Sequence, residues 1–248
     1  MKILVFGAGV LGCNLARNFF RAGKDVTLLA RGAWGESIQK NGLRIKDKFS
    51  PRMSVSRIPV TAELKAEDKY DVIFVVLRYT QLDAILDTLR ANPTKNIVFV
   101  GNDVRASALS ASLPEKNVMF AFASSAGHRE REYVASVDLK KLKGSTAYLS
   151  RLIDANIEGY RAIKNAGHEI LPKDNAEFEG AAYRKTCLRF FKLMSATSLG
   201  KICASDHAMN AVDEMSALNR DLKAFFDENG AKYPVWQELE QEVAKYLK

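Results

Sequence analysis

Residues 1–31 read MKILVFGAGVLGCNLARNFFRAGKDVTLLAR, and the fold follows from this stretch. An apolar run (Ile3, Leu4, Val5, Phe6) leads into G-A-G-V-L-G at residues 7–12. A segment with helical periodicity comes next, then a second apolar run over residues 26–30 that stops at Arg31. Strand, glycine turn, helix and strand in that order are the context in which G-x-G-x-x-G signals a dinucleotide site rather than a plain turn.

Each glycine has its own task. Gly7 makes the tight turn off the first strand, Gly9 lets backbone approach a pyrophosphate, and Gly12 lets the helix pack closely on the sheet. Ala8, Val10 and Leu11 complete the cradle, and the positive end of the helix that starts here faces the phosphates. The helix is predicted over residues 10–21, with Leu11, Leu15 and Phe19 as its inner stripe and Gly23 as its stop.

The end of the second strand selects the dinucleotide. An NAD site places Asp or Glu there to bind the ribose 2′-hydroxyl. This chain has Leu29-Ala30-Arg31-Gly32 instead, and its nearest acid, Asp25, lies at the opposite end of the strand. A guanidinium grips a 2′-phosphate with paired charge-assisted hydrogen bonds. Arg31 therefore points to NADP(H).

Composition narrows the function classes. The 248 residues carry 47% apolar and 27% charged side chains, as in ordinary globular proteins. The longest apolar strand-like run, residues 72–77, falls far short of the ~18 residues of a membrane span. The N-terminal run is interrupted by glycine with no small-residue cleavage site after it, so it reads as a strand and not as a signal peptide. Three scattered cysteines and three scattered histidines suggest neither a disulfide framework nor a metal centre, and they fit a cytoplasmic protein. The net charge of +8 suits an anionic cofactor and an acidic substrate. No nucleic-acid motif accompanies it, so nucleic acid is not an expected partner.

Further along, short strands are predicted at residues 43–46 and 53–56, and a short polar helix at 36–40. Buried strands follow at 72–77, 97–100 and 117–122, with helices at 81–90 and 106–112 between them. An antiparallel pair is expected from residues 131–137 and 145–150, then a helix at 154–165 and a strand at 168–171. Strands alternating with helices imply a Rossmann-type, doubly wound α/β fold with a mainly parallel sheet. Past about residue 173 only helices are predicted: 177–199, 206–228 capped by Ser205, and a last one opened by Pro234. That last helix has Trp236, Leu239 and Val243 on its inner face and Glu238, Glu240 and Glu242 on its exposed face. The expected division is a dinucleotide-binding domain, 1–173, and a smaller all-helical domain, 174–248, for substrate and dimerisation. Three helices bury little area alone, so a homodimer through this domain is expected.

With these residues in view, the chain resembles the ketopantoate reductase (2-dehydropantoate 2-reductase) family. The resemblance rests on the opening M-K-I-L-V-F-G-A-G-V-L-G-C, on D-V-T-L-L-A-R-G, and on N-G-L-R-I at residues 41–45. Leu77-Arg78-Tyr79-Thr80-Gln81 is similar to the family's lysine-x-x-glutamine turn, with Arg78 in place of the lysine. Gly101-Asn102-Asp103 stands where the family has glutamine-asparagine-glycine, and Tyr183-Arg184-Lys185 resembles the start of its long helix. Arg189 and Leu193 stand where that helix usually has asparagines, and the family's final helices have no counterpart in the sequence. The resemblance implies NADPH-dependent reduction of a 2-oxo acid, as in pantothenate biosynthesis. It implies Lys185 as general acid, Asn102 as a positioning group for cofactor and substrate, and Arg78 at the cofactor. The departures keep a second reading open, a non-catalytic NADP(H)-binding sensor on the same fold.

Overall fold

In the computed structural model, which describes residues 1–47, 52–122, 145–197 and 211–244, the first apolar run forms β1 (Lys2–Phe6), fully buried from Ile3 onward. Alternate side chains of a strand point to opposite faces of its sheet. Ile3 and Val5 accordingly join one core cluster, with Cys13, Ala16 and Ile38, while Leu4 and Phe6 join a second, with Leu82, Leu89 and Leu109. The helices that close these faces are α1 (Val10–Arg21) and α2 (Gly32–Asn41) on one side, and α3 (Leu86–Ala91) and α4 (Ala106–Ser112) on the other. A sheet buried on both faces needs strands that are apolar throughout, which is why residues 72–77 show no alternation.

The chain passes from β1 through α1 to β2 (Asp25–Leu29) and α2, then to β5 (Val60–Thr61) at the edge of the sheet. It crosses back to β6 (Val72–Val75), and continues to β7 (Asn96–Val100) and β8 (Asn117–Ala121). The strand order is β5-β2-β1-β6-β7-β8, and every neighbouring pair is parallel. Chain direction across the sheet reverses between β1 and β6. In an open α/β sheet, the crevice at such a switch point, beyond the carboxyl ends of the strands, is where ligands bind. The strands β3 (Leu43–Lys46) and β4 (Met53–Ser56) form a separate antiparallel pair. This pair is tied to α1 by the buried Arg17, whose guanidinium donates to both Asp47 carboxylate oxygens at 2.8 and 2.9 Å.

The predicted helix over 81–90 is replaced by two 3₁₀ turns, at residues 79–81 and 83–85, and the shorter α3. Tyr79, Leu82, Ile85 and Leu89 are all buried, so the tighter winding keeps the apolar face inward.

The chain divides into two compact units, residues 1–131 and 132–248. The boundary expected near residue 173 therefore falls inside the second unit. In that unit α5 (Thr146–Asn165) packs against α6 (Ala181–Ser195), α7 (Val212–Glu228) and α8 (Pro234–Ala244). Residues 145–150 are not a strand. The Ser145 hydroxyl accepts a hydrogen bond from the Tyr148 N–H at 3.3 Å and so caps α5, and Leu149, Ile153 and Ile157 then bury at helical spacing. Their expected partner, 131–137, lies outside the described residues, as does the start of the helix predicted from residue 206 with Ser205 at its cap. Residues 168–171 carry no strand either; Ile170 alone among them is buried, and the four serve as the connection leading towards α6.

The acidic row of α8 is solvent-facing at Glu238 and Glu242, as expected, and it also ties the helix to its neighbours. Glu238 and Glu242 pair with Arg151, while Glu240 accepts from Asn219 at 2.7 Å and from Lys223 at 2.8 Å. Val243, expected on the inner face, is exposed. Among the described residues, no helix is long and apolar enough to cross a membrane.

Candidate functional site

The glycine turn lies at the switch point. The Gly7 N–H donates to the Leu29 carbonyl at 3.3 Å, and the Val76 N–H donates to the Phe6 carbonyl at 2.9 Å, so the turn is held from both neighbouring strands. Gly7 has φ of 119°, and a Cβ there would stand 2.3 Å from the Val76 carbonyl oxygen. A Cβ on Gly12 would stand 1.9 Å from the Gly7 oxygen, so the first turn of α1 rests directly on the loop. Gly9 differs: its Cβ would meet nothing within 4 Å. The open side of the turn is therefore at Gly9, which precedes α1, whose first N–H groups have no acceptor within the helix. This cradle fits the pyrophosphate of a dinucleotide.

Arg31 is the residue before α2 and is exposed. Its guanidinium lies 5.9 Å from the centre of the Phe6 ring, at the carboxyl end of β1. A Cβ on Gly35 would stand 2.5 Å from the Ala30 oxygen, so α2 abuts the end of β2 and carries Arg31 to the crevice.

Arg78 follows β6 and is exposed; its backbone N–H donates to Gln81 Oε1 at 3.1 Å, which winds the chain into the first 3₁₀ turn. Asn102 follows β7 and is half-buried. With Leu77, Tyr79, Leu82 and Gly101 it lines a hollow between the ends of β6 and β7. Gly7–Gly12, Arg31, Arg78 and Asn102 thus stand at the carboxyl ends of four strands of one parallel sheet.

Two residues at this end of the sheet have roles that the sequence reading did not assign. Asp103 accepts the Arg105 N–H at 2.6 Å. It thereby shapes the approach to α4 as a short acid in a turn does. Arg105 reaches back to the Asp83 carboxylate at 3.0 and 3.2 Å and to the Tyr79 carbonyl at 3.3 Å, with its guanidinium 4.3 Å from the Tyr79 ring centre. The loop that bears Asn102 is in this way fastened to the one that bears Arg78. An acid two residues before an arginine at a helix start was the available sign.

Lys185 belongs to the second unit, on α6, and is exposed, as are Arg189 and Leu193 one and two turns on; Lys192 is half-buried. The opposite side of α6 is fixed to α5. Arg184 forms a two-pronged ion pair with Asp154, and this partner holds the Asp154 carboxyl below its usual range. The Tyr183 hydroxyl donates to Asn156 Oδ1 at 3.2 Å, and burial pushes its pKa up. Tyr183, Leu188 and Phe191 pack against the cluster of Ile153, Ile157 and Phe178, which sets the rotation of α6 and leaves Lys185 outside. Among the described residues, no group of three or more His, Cys, Asp or Glu side chains could hold a metal ion.

A sequence profile described as Ketopantoate reductase PanE/ApbA matches residues 3–144. The chain belongs to this family. Over 92 residues it is 39% identical to a 2-dehydropantoate 2-reductase of Mesorhizobium japonicum, a match that covers 36% of this chain and 27% of the relative. Over 146 residues it is 24% identical to a 2-dehydropantoate 2-reductase of Lactococcus lactis, covering 48% and 46%. These matches span about a quarter and about half the length of the curated relatives. Among solved structures, a D-mandelate dehydrogenase described with NADH and anilino(oxo)acetate superposes with a TM-score of 0.64 at 16% identity, over 99% of this chain and 97% of that one. A probable 2-dehydropantoate 2-reductase from Bacillus subtilis superposes with a TM-score of 0.62 at 14% identity, over 100% of both chains. At these identities the superpositions speak for the fold, and the ketopantoate reductase fold is what the two units display.

Proposed function

We propose that this member of the ketopantoate reductase family reduces a 2-oxo acid of the ketopantoate type to the 2-hydroxy acid with NADPH. The observation that carries the reading is the alignment of the glycine turn, Arg31, Arg78 and Asn102 along the carboxyl ends of β1, β2, β6 and β7. In this reading Gly7, Ala8, Gly9, Val10, Leu11 and Gly12 hold the pyrophosphate. Arg31 holds the 2′-phosphate, Arg78 adds a cation beside the cofactor, and Asn102 orients cofactor and substrate.

Bound NADPH supplies a hydride to the carbonyl carbon. The chain's part is to manage the charge that this leaves on oxygen. The Lys185 ammonium stabilises that charge, donates a proton to complete the hydroxyl, and regains one from water. Exposed Lys185 attracts the substrate carboxylate. The reduced cysteines Cys13 and Cys187 suit a reducing compartment, the cytoplasm. Large apolar side chains left exposed on the helical unit, Phe190, Leu193 and Val243 among them, support a homodimer, which a monomer in sedimentation at micromolar concentration would contradict.

The test is NADPH oxidation against a panel of 2-oxo acids that includes ketopantoate, with Lys185→Ala alongside. Turnover that falls at least about 100-fold in the variant supports the reading. Tight NADPH binding with no turnover on any acid would overturn it in favour of a non-catalytic binder.

A further inference from the structure

The carbonyl of Ala8, the second residue of the glycine turn, accepts a 3.0 Å hydrogen bond from the indole Nε1–H of Trp34. The Cys13 thiol donates to the same oxygen at 3.4 Å. Trp34 is in the first turn of α2, three residues beyond Arg31, and its half-buried ring packs against the core cluster shared by α1 and the sheet.

This contact governs a peptide group that glycine would otherwise leave loose. In a trans peptide the C=O of residue 8 and the N–H of residue 9 point in opposite directions. With the Ala8 oxygen drawn to Trp34 and Cys13, the Gly9 N–H is turned the other way. Glycine accepts either sign of φ with little penalty, and the space around Gly9 is open, so sterics alone do not prevent this peptide from turning over. Turned over, it would present a carbonyl oxygen instead of an N–H to an anion in the cradle, replacing attraction with repulsion.

We infer that Trp34 is a positioning residue for the dinucleotide. Its indole N–H locks the Ala8–Gly9 peptide in the orientation that binds anions. It also ties the glycine turn to α2, the helix that Arg31 precedes, while the position of Arg31 itself is set by the end of β2. The inference rests on the NADPH reading above and adds a residue to it that touches no phosphate itself.

Trp34→Phe keeps an aromatic ring and removes the donor. The test compares the dissociation constants of NADPH, NADH and adenosine 2′-monophosphate for both proteins; the last ligand has the 2′-phosphate but no pyrophosphate. The lock requires both dinucleotides to weaken about three- to tenfold while the monophosphate is unaffected. Unchanged dinucleotide affinity in a folded variant overturns it, and so does equal weakening of all three ligands, which marks damage to α2. Equal affinity of the unmodified protein for NADH and NADPH would sink the choice of NADP(H) while the two dinucleotides still decide the lock. Absence of dinucleotide binding would overturn both. A second measurement does not depend on the variant folding. The Trp34 indole proton of the unmodified protein should resist exchange with solvent and shift its resonance when NADPH is added, whereas exchange at the solvent rate overturns the lock.

Discussion

The Glu158 carboxylate, on α5, accepts hydrogen bonds from the backbone N–H groups of Val235 and Trp236 at 3.0 and 2.9 Å. It therefore caps α8 from a position 77 residues earlier in the chain. The acid is almost fully buried, and the positive end of the α8 dipole is its neighbour. Glu158→Gln keeps one acceptor but sets an amide N–H against a backbone donor. It is expected to lower stability by about 1–3 kcal/mol. Denaturant unfolding of the two proteins checks this, and overlapping curves would contradict it.

The paired contact expected between Arg31 and a 2′-phosphate sets a cofactor prediction. Arg31→Ala should weaken NADPH by about 1.5–3 kcal/mol, roughly 10- to 100-fold, with NADH nearly unaffected. Titration calorimetry with both cofactors measures it. Equal losses for the two would speak against 2′-phosphate recognition.

Gly12 has no room for a methyl group, because the atom in the way is the Gly7 carbonyl oxygen, which belongs to backbone and cannot swing aside. Gly12→Ala is expected to cost about 1–3 kcal/mol of stability. Thermal unfolding without ligand isolates this from any loss of binding, and an unchanged midpoint would argue that the turn is looser than described.

The Lys223–Glu240 pair joins α7 to α8, and its pH dependence has a definite sign. Lys223 holds the Glu240 carboxyl below its ordinary value of 4.5, and Glu240 holds the Lys223 ammonium above its ordinary 10.5. The Glu240 contribution is fully present above its unfolded pKa and is lost as pH falls through the lower folded one. The Lys223 contribution is fully present below its unfolded pKa and is lost as pH rises through the higher folded one. Between these limits Glu240→Gln should unfold at lower temperature than the parent. The gap should narrow as pH falls below the ordinary 4.5 and close as it passes through the lower folded value. Each side chain is about one-third exposed, so the effect is screened and modest. A gap that persists once Glu240 is protonated in the folded protein as well would assign it to packing rather than charge.

Legibility from sequence followed the range of the forces involved. β1, α1 and β2 were readable because apolar runs, the glycine turn and the arginine at a strand end are all local signals. The strand-end position of Arg31 is legible for the same reason, whereas Arg78 and Asn102 enter through the family resemblance; the structure puts all three just past strand ends. Residues 145–150 misled because six residues do not separate alternation from helical periodicity; the deciding groups, Ser145 as a cap and Ile153 and Ile157 as later steps of the stripe, lie at and beyond their ends. The Glu158 cap, the Arg105 fastening and the Trp34 contact span 77, 22 and 26 residues, distances at which no local pattern carries the pairing.

The glycines of the turn answer to different judges. At positions 7 and 12 a side chain collides with the chain itself, so folding alone keeps them. At position 9 the backbone has ordinary extended angles and the surroundings are empty, so folding makes no demand there. A lineage that ceased to use its dinucleotide would drift at residue 9 first and hold 7 and 12 long afterwards. The residue found at position 9 among descendants of this chain is thus a record of whether the ligand is still in use.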